Sequence, residues 1–311
     1  MDAKQNLLKR KNRFSKIKKT LFFVCLIILP LTQFALMYVG VNINSIIMSF
    51  RKFDPLANEW SWNGLNNFKQ VFNDLKYLPE LTHGIWNSII AFLIPFVIGV
   101  SLNLLFSYYI YKRRFGYKFF RIMLFMPSIV MAVIMATILK YYADRFVPDI
   151  LNTIFNTNLT GFLSNKETIF PTLLIFSCYC GFGVPTLMYV GAMDAISPGV
   201  MEAATLDGAG EMRTFFSIVL PQIIPTISVF VTTSVAAIFT NQLSLYSFYG
   251  SSLPYQDISV IGYYMYRGVA LATSYAEYPT LAALGLLCTA VTAPAVLLIR
   301  RFMERINPMN D

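Results

Sequence analysis

The sequence predicts an all-α membrane protein with six transmembrane helices and both termini in the cytoplasm. Three observations predict it: an apolar composition, six charge-poor runs of spanning length, and a one-sided distribution of Lys and Arg. Of the 311 residues, 56% are hydrophobic and 13% are charged, about half the charge of an ordinary soluble domain. The formal net charge of +9 does not imply a nucleic-acid partner, because the cations sit in short blocks between apolar runs instead of on one face.

Residues 1–20 are a basic tail. Eight of the 25 Lys and Arg fall there, at Lys4, Lys9, Arg10, Lys11, Arg13, Lys16, Lys18 and Lys19. A cleaved signal peptide has an apolar core of roughly 7–15 residues; here no charge occurs from Thr20 to Phe50, so the run is read as an uncleaved first span, 21–49. A bilayer core about 30 Å thick needs about 20 apolar helical residues, and five further runs qualify: 84–111, 119–139, 168–193, 222–248 and 278–299. Pro221 and Pro225 set the start of the fifth span, and Gly250 with Pro254 its end. The membrane domain is therefore 21–300, followed by a tail at 301–311. Cys25, Cys178, Cys180 and Cys288 all lie within apolar runs and read as buried free thiols.

With the N-terminus inside, the cytoplasmic segments hold 17 Lys and Arg against eight outside. The second cytoplasmic segment decides it: Lys112, Arg113, Arg114, Lys118 and Arg121 stand together without an acidic partner, as the positive-inside rule requires. The segment at about 194–221 departs from this pattern, since Asp194, Glu202, Asp207 and Glu211 oppose a lone Arg213.

That segment reads as helix, turn, helix. Pro198 suits a helix start, Glu202 lies where the helix dipole favours an anion, and Ala203 and Ala204 continue the helix. Asp207-Gly208 stops it, because Gly208 can adopt the left-handed conformation that closes a helix. Phe215, Phe216, Ile218, Val219 and Leu220 then form an apolar stretch ended by Pro221, too short to span but suited to packing against the membrane helices.

Glu202-Ala203-Ala204, Gly208, Ile218 and Leu220-Pro221 carry every spacing of the cytoplasmic loop of ABC importer permeases, and the chain resembles that family over roughly residues 20–305. Ser197 stands where the family usually has Pro. Ser49-Phe50 followed by Gly64-Leu65-Asn66-Asn67-Phe68 is similar to the first external loop of the maltose and glycerol-phosphate type of sugar permease, with Asn66 where Asp is common. The resemblance implies a coupling helix between helices 4 and 5 that sits in a groove of a separate ATPase, with Glu202, Ala203, Ala204, Asp207, Gly208, Ile218, Leu220 and Pro221 as the coupling residues. It implies a second homologous permease, forming a heterodimer, two ATP-binding subunits and an extracytoplasmic solute-binding protein, all at a bacterial-type inner membrane.

The sequence contains no phosphate-binding G-x-x-x-x-G-K-[ST] motif, so nucleotide chemistry belongs elsewhere. No cofactor and no enzymatic activity of its own are expected; ATP and magnesium belong to the ATPase. Polar residues inside spans are costly unless they face protein or water. Thr233, Ala237, Asn241, Ser244 and Phe248 recur every three or four residues, with Thr240, Gln242 and Tyr246 nearby, and read as one polar helix face that either lines a sugar path or packs helices. Gly181, Gly183 and Pro185 should loosen the fourth span. His83 lies at an external edge without clustered ligands, and residues 50–83 and 140–167 are external segments able to receive a binding protein. Two other readings stay open: a single-component secondary transporter or channel, for which intramembrane ionisable pairs are missing, and an ABC permease for a non-sugar solute. A membrane enzyme would need clustered His, Asp or Cys.

Overall fold

A computed structural model describes residues 2–306, with side chains from Lys18 onward; residues 307–311 of the C-terminal tail lie outside the described residues. The chain is a bundle of long helices with one small hairpin. Helix α1 runs through residues 2–49, with a π-helical stretch at Phe34–Gly40. Strands β1 (Arg51–Asp54) and β2 (Glu59–Trp62) follow, then α2 (Asn66–Tyr77), α3 (Pro79–Tyr111), α4 (Tyr117–Ile129) and α5 (Ala132–Phe155). The remainder is α6 (Lys166–Asp194), α7 (Pro198–Leu206), α8 (Glu211–Ala236), α9 (Leu245–Tyr249), α10 (Ile261–Leu271) and α11 (Tyr278–Ile306).

Among the described residues five helices are long and apolar enough to cross a bilayer: Lys18–Ser49 of α1, α3, α6, α8 and α11. The sixth candidate is a bent pair. A straight third span at 119–139 is not what forms: α4 ends at Ile129, Val130 and Met131 take extended backbone, and α5 leaves at 107°. Pro127 supplies one reason, since it removes a backbone donor inside the last turns of α4. Packing supplies another. Ser128 is pressed so closely on α6 that a Cβ built on Gly183 would lie 2.5 Å from the Ser128 Cβ. Helix α5 then carries residues 140–155, which sequence reading assigned to an external segment.

The all-α expectation is corrected by the hairpin. Its strands pair antiparallel with Phe53 opposite Trp60, ring centroids 5.1 Å apart. Asp54 Oδ1 accepts the Leu56 N–H at 2.9 Å, and Asn58 takes positive φ, as tight turns favour.

Besides a small cluster of Ile110, Leu124, Phe182 and Val190, three buried clusters tie the helices together. One joins α5, α6, α9 and α10 around Ile169, Leu173, Leu245 and Tyr263. A second joins α6 and α8 through Tyr189, Met193, Val219 and Ile223, with Leu104 and Tyr108 of α3 packed on it. A third sets Val71 and Leu81 against Ile261 and Ala283. By contrast residues 18–44 of α1 bury nothing: Phe22, Leu29 and Met37 are all exposed. Such a helix belongs in lipid or against partner helices. Cys25 shares that exposed surface, while Cys178, Cys180 and Cys288 are half-buried; all four are free thiols.

Candidate functional site: an elbow between two membrane helices

The predicted helix, turn and helix are α7, a glycine turn and α8. Pro198 occupies the first turn of α7 and Ser197 is its N-cap. At the other end Asp207 is the C-cap and Gly208 has φ +71°. The Gly208 N–H donates to the Thr205 carbonyl at 3.1 Å and the Ala209 N–H to the Ala204 carbonyl at 3.0 Å. This is a Schellman closure, which requires a left-handed residue where Gly208 stands.

Helix α7 has two faces. Ala204 is buried, and Ile196 and Met201 pack into the cluster around Met193 and Phe215. Glu202, Ala203, Thr205, Asp207 and Gly208 are exposed, and Leu206 is 88% exposed. The Glu202 side chain makes no hydrogen bond or ion pair among the described residues.

The second half of the elbow differs from expectation. The apolar stretch 215–220 is not a separate packing segment ended by Pro221, because α8 runs unbroken from Glu211 to Ala236. A π-turn at Phe215–Val219 makes this possible: the Leu220 N–H donates to the Phe215 carbonyl, five residues back. The wider turn relieves the clash that Pro221 would make with the preceding carbonyls of a regular helix. Ile218, Leu220 and Pro221 are consequently half-buried in the first turns of a membrane helix.

Contacts that sequence reading missed anchor the elbow to α3. Arg114, in the turn after α3, forms an ion pair with Glu211 at the start of α8. The Tyr108 hydroxyl donates to the Glu211 carbonyl at 3.3 Å, and the Tyr108 ring lies 4.8 Å from that of Phe215. The acidic excess of the elbow was the available signal, since Glu211 meets one of the five cations of 112–121.

The other proposed site does not form one helix face. Helix α8 stops at Ala236, and Leu243 and Ser244 take positive φ. Asn241 Oδ1 accepts the Leu243 N–H at 2.9 Å, and α9 begins after Ser244. Thr233 remains on α8 and donates to its own helix, to Val229 O at 2.8 Å; Thr240, Gln242, Ser244 and Tyr246 lie in or beyond the break. Of the six polar candidates only Asn241 reaches the cavity of about 240 Å³ between α3, α6 and α8, together with Ser234, Asn103 and Ser177.

At the end of the bundle away from the elbow, the loop before α10 is fastened to α3. Asn87 Nδ2 donates to Asp257 O at 2.6 Å and Ser259 O at 2.9 Å, and Ser88 Oγ accepts the Ile261 N–H at 2.9 Å. Glu80 is buried and pairs with Arg267 at 2.7 Å. Lys166 forms an ion pair with Asp257, and its hydrogen bond holds the Asp257 carboxyl below the usual 3.8.

With this geometry the comparisons with known proteins agree. Residues 95–309 match the family described as the binding-protein-dependent transport system inner membrane component. The chain belongs to this family. It is a membrane-embedded transport subunit without a catalytic domain. The glucose import system permease protein GlcT of Saccharolobus solfataricus is 25% identical over 294 residues, covering 90% of this chain and 98% of its own. The probable starch degradation products permease AmyD of Thermoanaerobacterium thermosulfurigenes is 31% identical over 201 residues, 59% of this chain and 65% of its own. A bacterial ABC transporter that imports the acidic polysaccharide alginate shares the fold, with a TM-score of 0.74 and 23% identity over 94% of this chain and 99% of that one.

Proposed function

We propose that this permease forms half of the path of an ATP-driven importer for a sugar or oligosaccharide, and that α7 is the helix on which a separate ATPase pulls. One observation carries the reading. Glu202, Ala203 and Leu206 face outward on a short helix that a Schellman turn closes at Gly208, and the helix is rooted in the cluster shared by α6 and α8. A load on the exposed face is therefore transmitted to the membrane helices, because close-packed interiors deform little.

The elbow lies in the cytoplasm in this reading, as do both termini, in line with the basic segments at 1–20 and 112–121. The partners are a second permease, two ATP-binding subunits that supply ATP and magnesium, and an extracytoplasmic binding protein. The names of GlcT and AmyD support a carbohydrate cargo. ATP-driven closure of the motor moves α7 and so favours one of two helix arrangements, which must differ in docking or packing free energy.

The test is Glu202→Lys, assayed by solute uptake and by ATP hydrolysis in the assembled transporter. The Glu202 side chain has no partner among the described residues, so the variant should fold normally and still bind ATP while uptake is lost. Normal uptake by Glu202→Lys would overturn the assignment of α7.

A further inference from the structure

We propose that the cleft between the end of α3 and the start of α4 seats one anionic phospholipid. The cleft has a volume of about 540 Å³ and is walled by Leu105, Phe106, Tyr109, Phe115, Phe119 and Phe120. That lies within the roughly 300–1,000 Å³ of small-molecule sites. The one hydroxyl in this wall is already used, because Tyr109 donates to the Phe115 carbonyl at 2.6 Å. What remains is aromatic and aliphatic surface on the flank of a membrane span, a lining that suits an acyl chain and not water.

The residues that flank the cleft wall in sequence supply the opposite character. Lys112, Arg113, Arg114, Lys118 and Arg121 lie in ten consecutive residues without a carboxylate. Two of these are occupied: Lys112 lies over the Tyr108 ring at 5.5 Å, and Arg114 is paired with Glu211. Arg113 and Lys118 are exposed, and their side chains make no hydrogen bond or ion pair among the described residues. Arg113 is two residues before Phe115, in a turn where it takes φ +49°; Lys118 precedes Phe119 in the first turn of α4. Phe115, between them, is 98% exposed.

Positive-inside charge alone accounts for cations at this boundary and gives no reason for an apolar cleft to open beside them. A soluble phosphate would use the cations and leave the cleft unfilled. A phospholipid with a negative headgroup satisfies both, with its phosphate on Arg113 and Lys118 and a chain against Phe106 and Phe119. The inference concerns the membrane boundary of this chain and does not depend on what the permease carries.

The experiment is native mass spectrometry of the full chain released from detergent containing equal phosphatidylglycerol and phosphatidylcholine of identical acyl composition. One phosphatidylglycerol should be retained in preference. Arg113→Gln and Lys118→Gln should each reduce the preference about fivefold, the scale of one basic side chain at an anionic lipid surface, while Arg300→Gln should leave it unchanged. Leu105→Trp, which fills the cleft, should remove the bound lipid from a chain whose helix content by circular dichroism is intact. Equal retention of the two lipids would overturn the proposal. So would a preference that survives Leu105→Trp, which would mark surface charge alone, or displacement of the lipid by inorganic phosphate, which would mark a simple anion site.

Discussion

Gly262→Ala should destabilise the permease through a clash with the backbone of another segment. Gly262 is buried at the start of α10, and a Cβ built on it lies 2.5 Å from the Asn241 carbonyl oxygen and 2.7 Å from the carbonyl carbons of Asn241 and Thr240. All three atoms are backbone, so no side-chain rotation relieves the contact. Ordinary contact begins at 3.4 Å, and the segment that ends α8 would have to retreat by most of an ångström. Overpacking of this kind costs about 1–3 kcal/mol. At roughly 2–4 °C per kcal/mol for chains of comparable size, the melting temperature of the purified protein should fall by several degrees. Gly99→Ala is the control: it lies within α3 with nothing inside 4 Å of the added Cβ, and replacing a helical Gly by Ala stabilises by up to about 1 kcal/mol. Because Asn241 lines the central cavity, Gly262→Ala should also lower uptake at unchanged ATP binding. If the two variants melt together, the close approach of α10 to the end of α8 is not present in solution.

Glu80→Ala leaves Arg267 without its partner, and breaking a buried pair costs about 3–5 kcal/mol; the partial exposure of Arg267 places the expected loss at or below the lower end. In a thermal double-mutant cycle, Arg267→Met should recover part of it, and strict additivity would refute the pairing. Arg114→Glu should change stability by no more than about 1 kcal/mol, since both members of its pair are more than half exposed, yet should lower solute moved per ATP; adding Glu211→Arg should restore that ratio, and failure to restore it would refute the strut. The Asp257 carboxyl is held below its ordinary value, so its contribution is present above pH 3.8 and lost as pH falls through the depressed value. Wild type should therefore lose melting temperature relative to Asp257→Asn only in that acidic window, and parallel profiles from pH 5 to pH 2 would refute it.

The elbow was legible residue by residue because its determinants are local. A proline at a helix start, a glycine that must turn left-handed and two alanines between them act on their own backbone, and α7 with its Gly208 closure follows from them. The spans were legible for the same reason, since hydropathy is a property of a run of residues. The polar set 233–248 was misread because nothing in it breaks a helix: no Gly or Pro occurs between Pro225 and Gly250, and the period of three to four residues is sound.

What stops α8 is a partner from elsewhere in the chain. Gly262 allows α10 to press on the backbone of Thr240 and Asn241, and the space it occupies is the space a continued helix would need. The bend between α4 and α5 has a local part in Pro127 and a remote part in Gly183 against Ser128. Glu80 with Arg267, and Arg114 with Glu211, are separated by 187 and 97 residues, and no pattern within one segment announces either pair. The sequence by itself determined a membrane protein with a short helix and a glycine turn between two of its spans. Only the tertiary structure decided where the spans break and which struts join the elbow to the bundle, because those depend on close approach between backbones and charges that the chain brings together after folding.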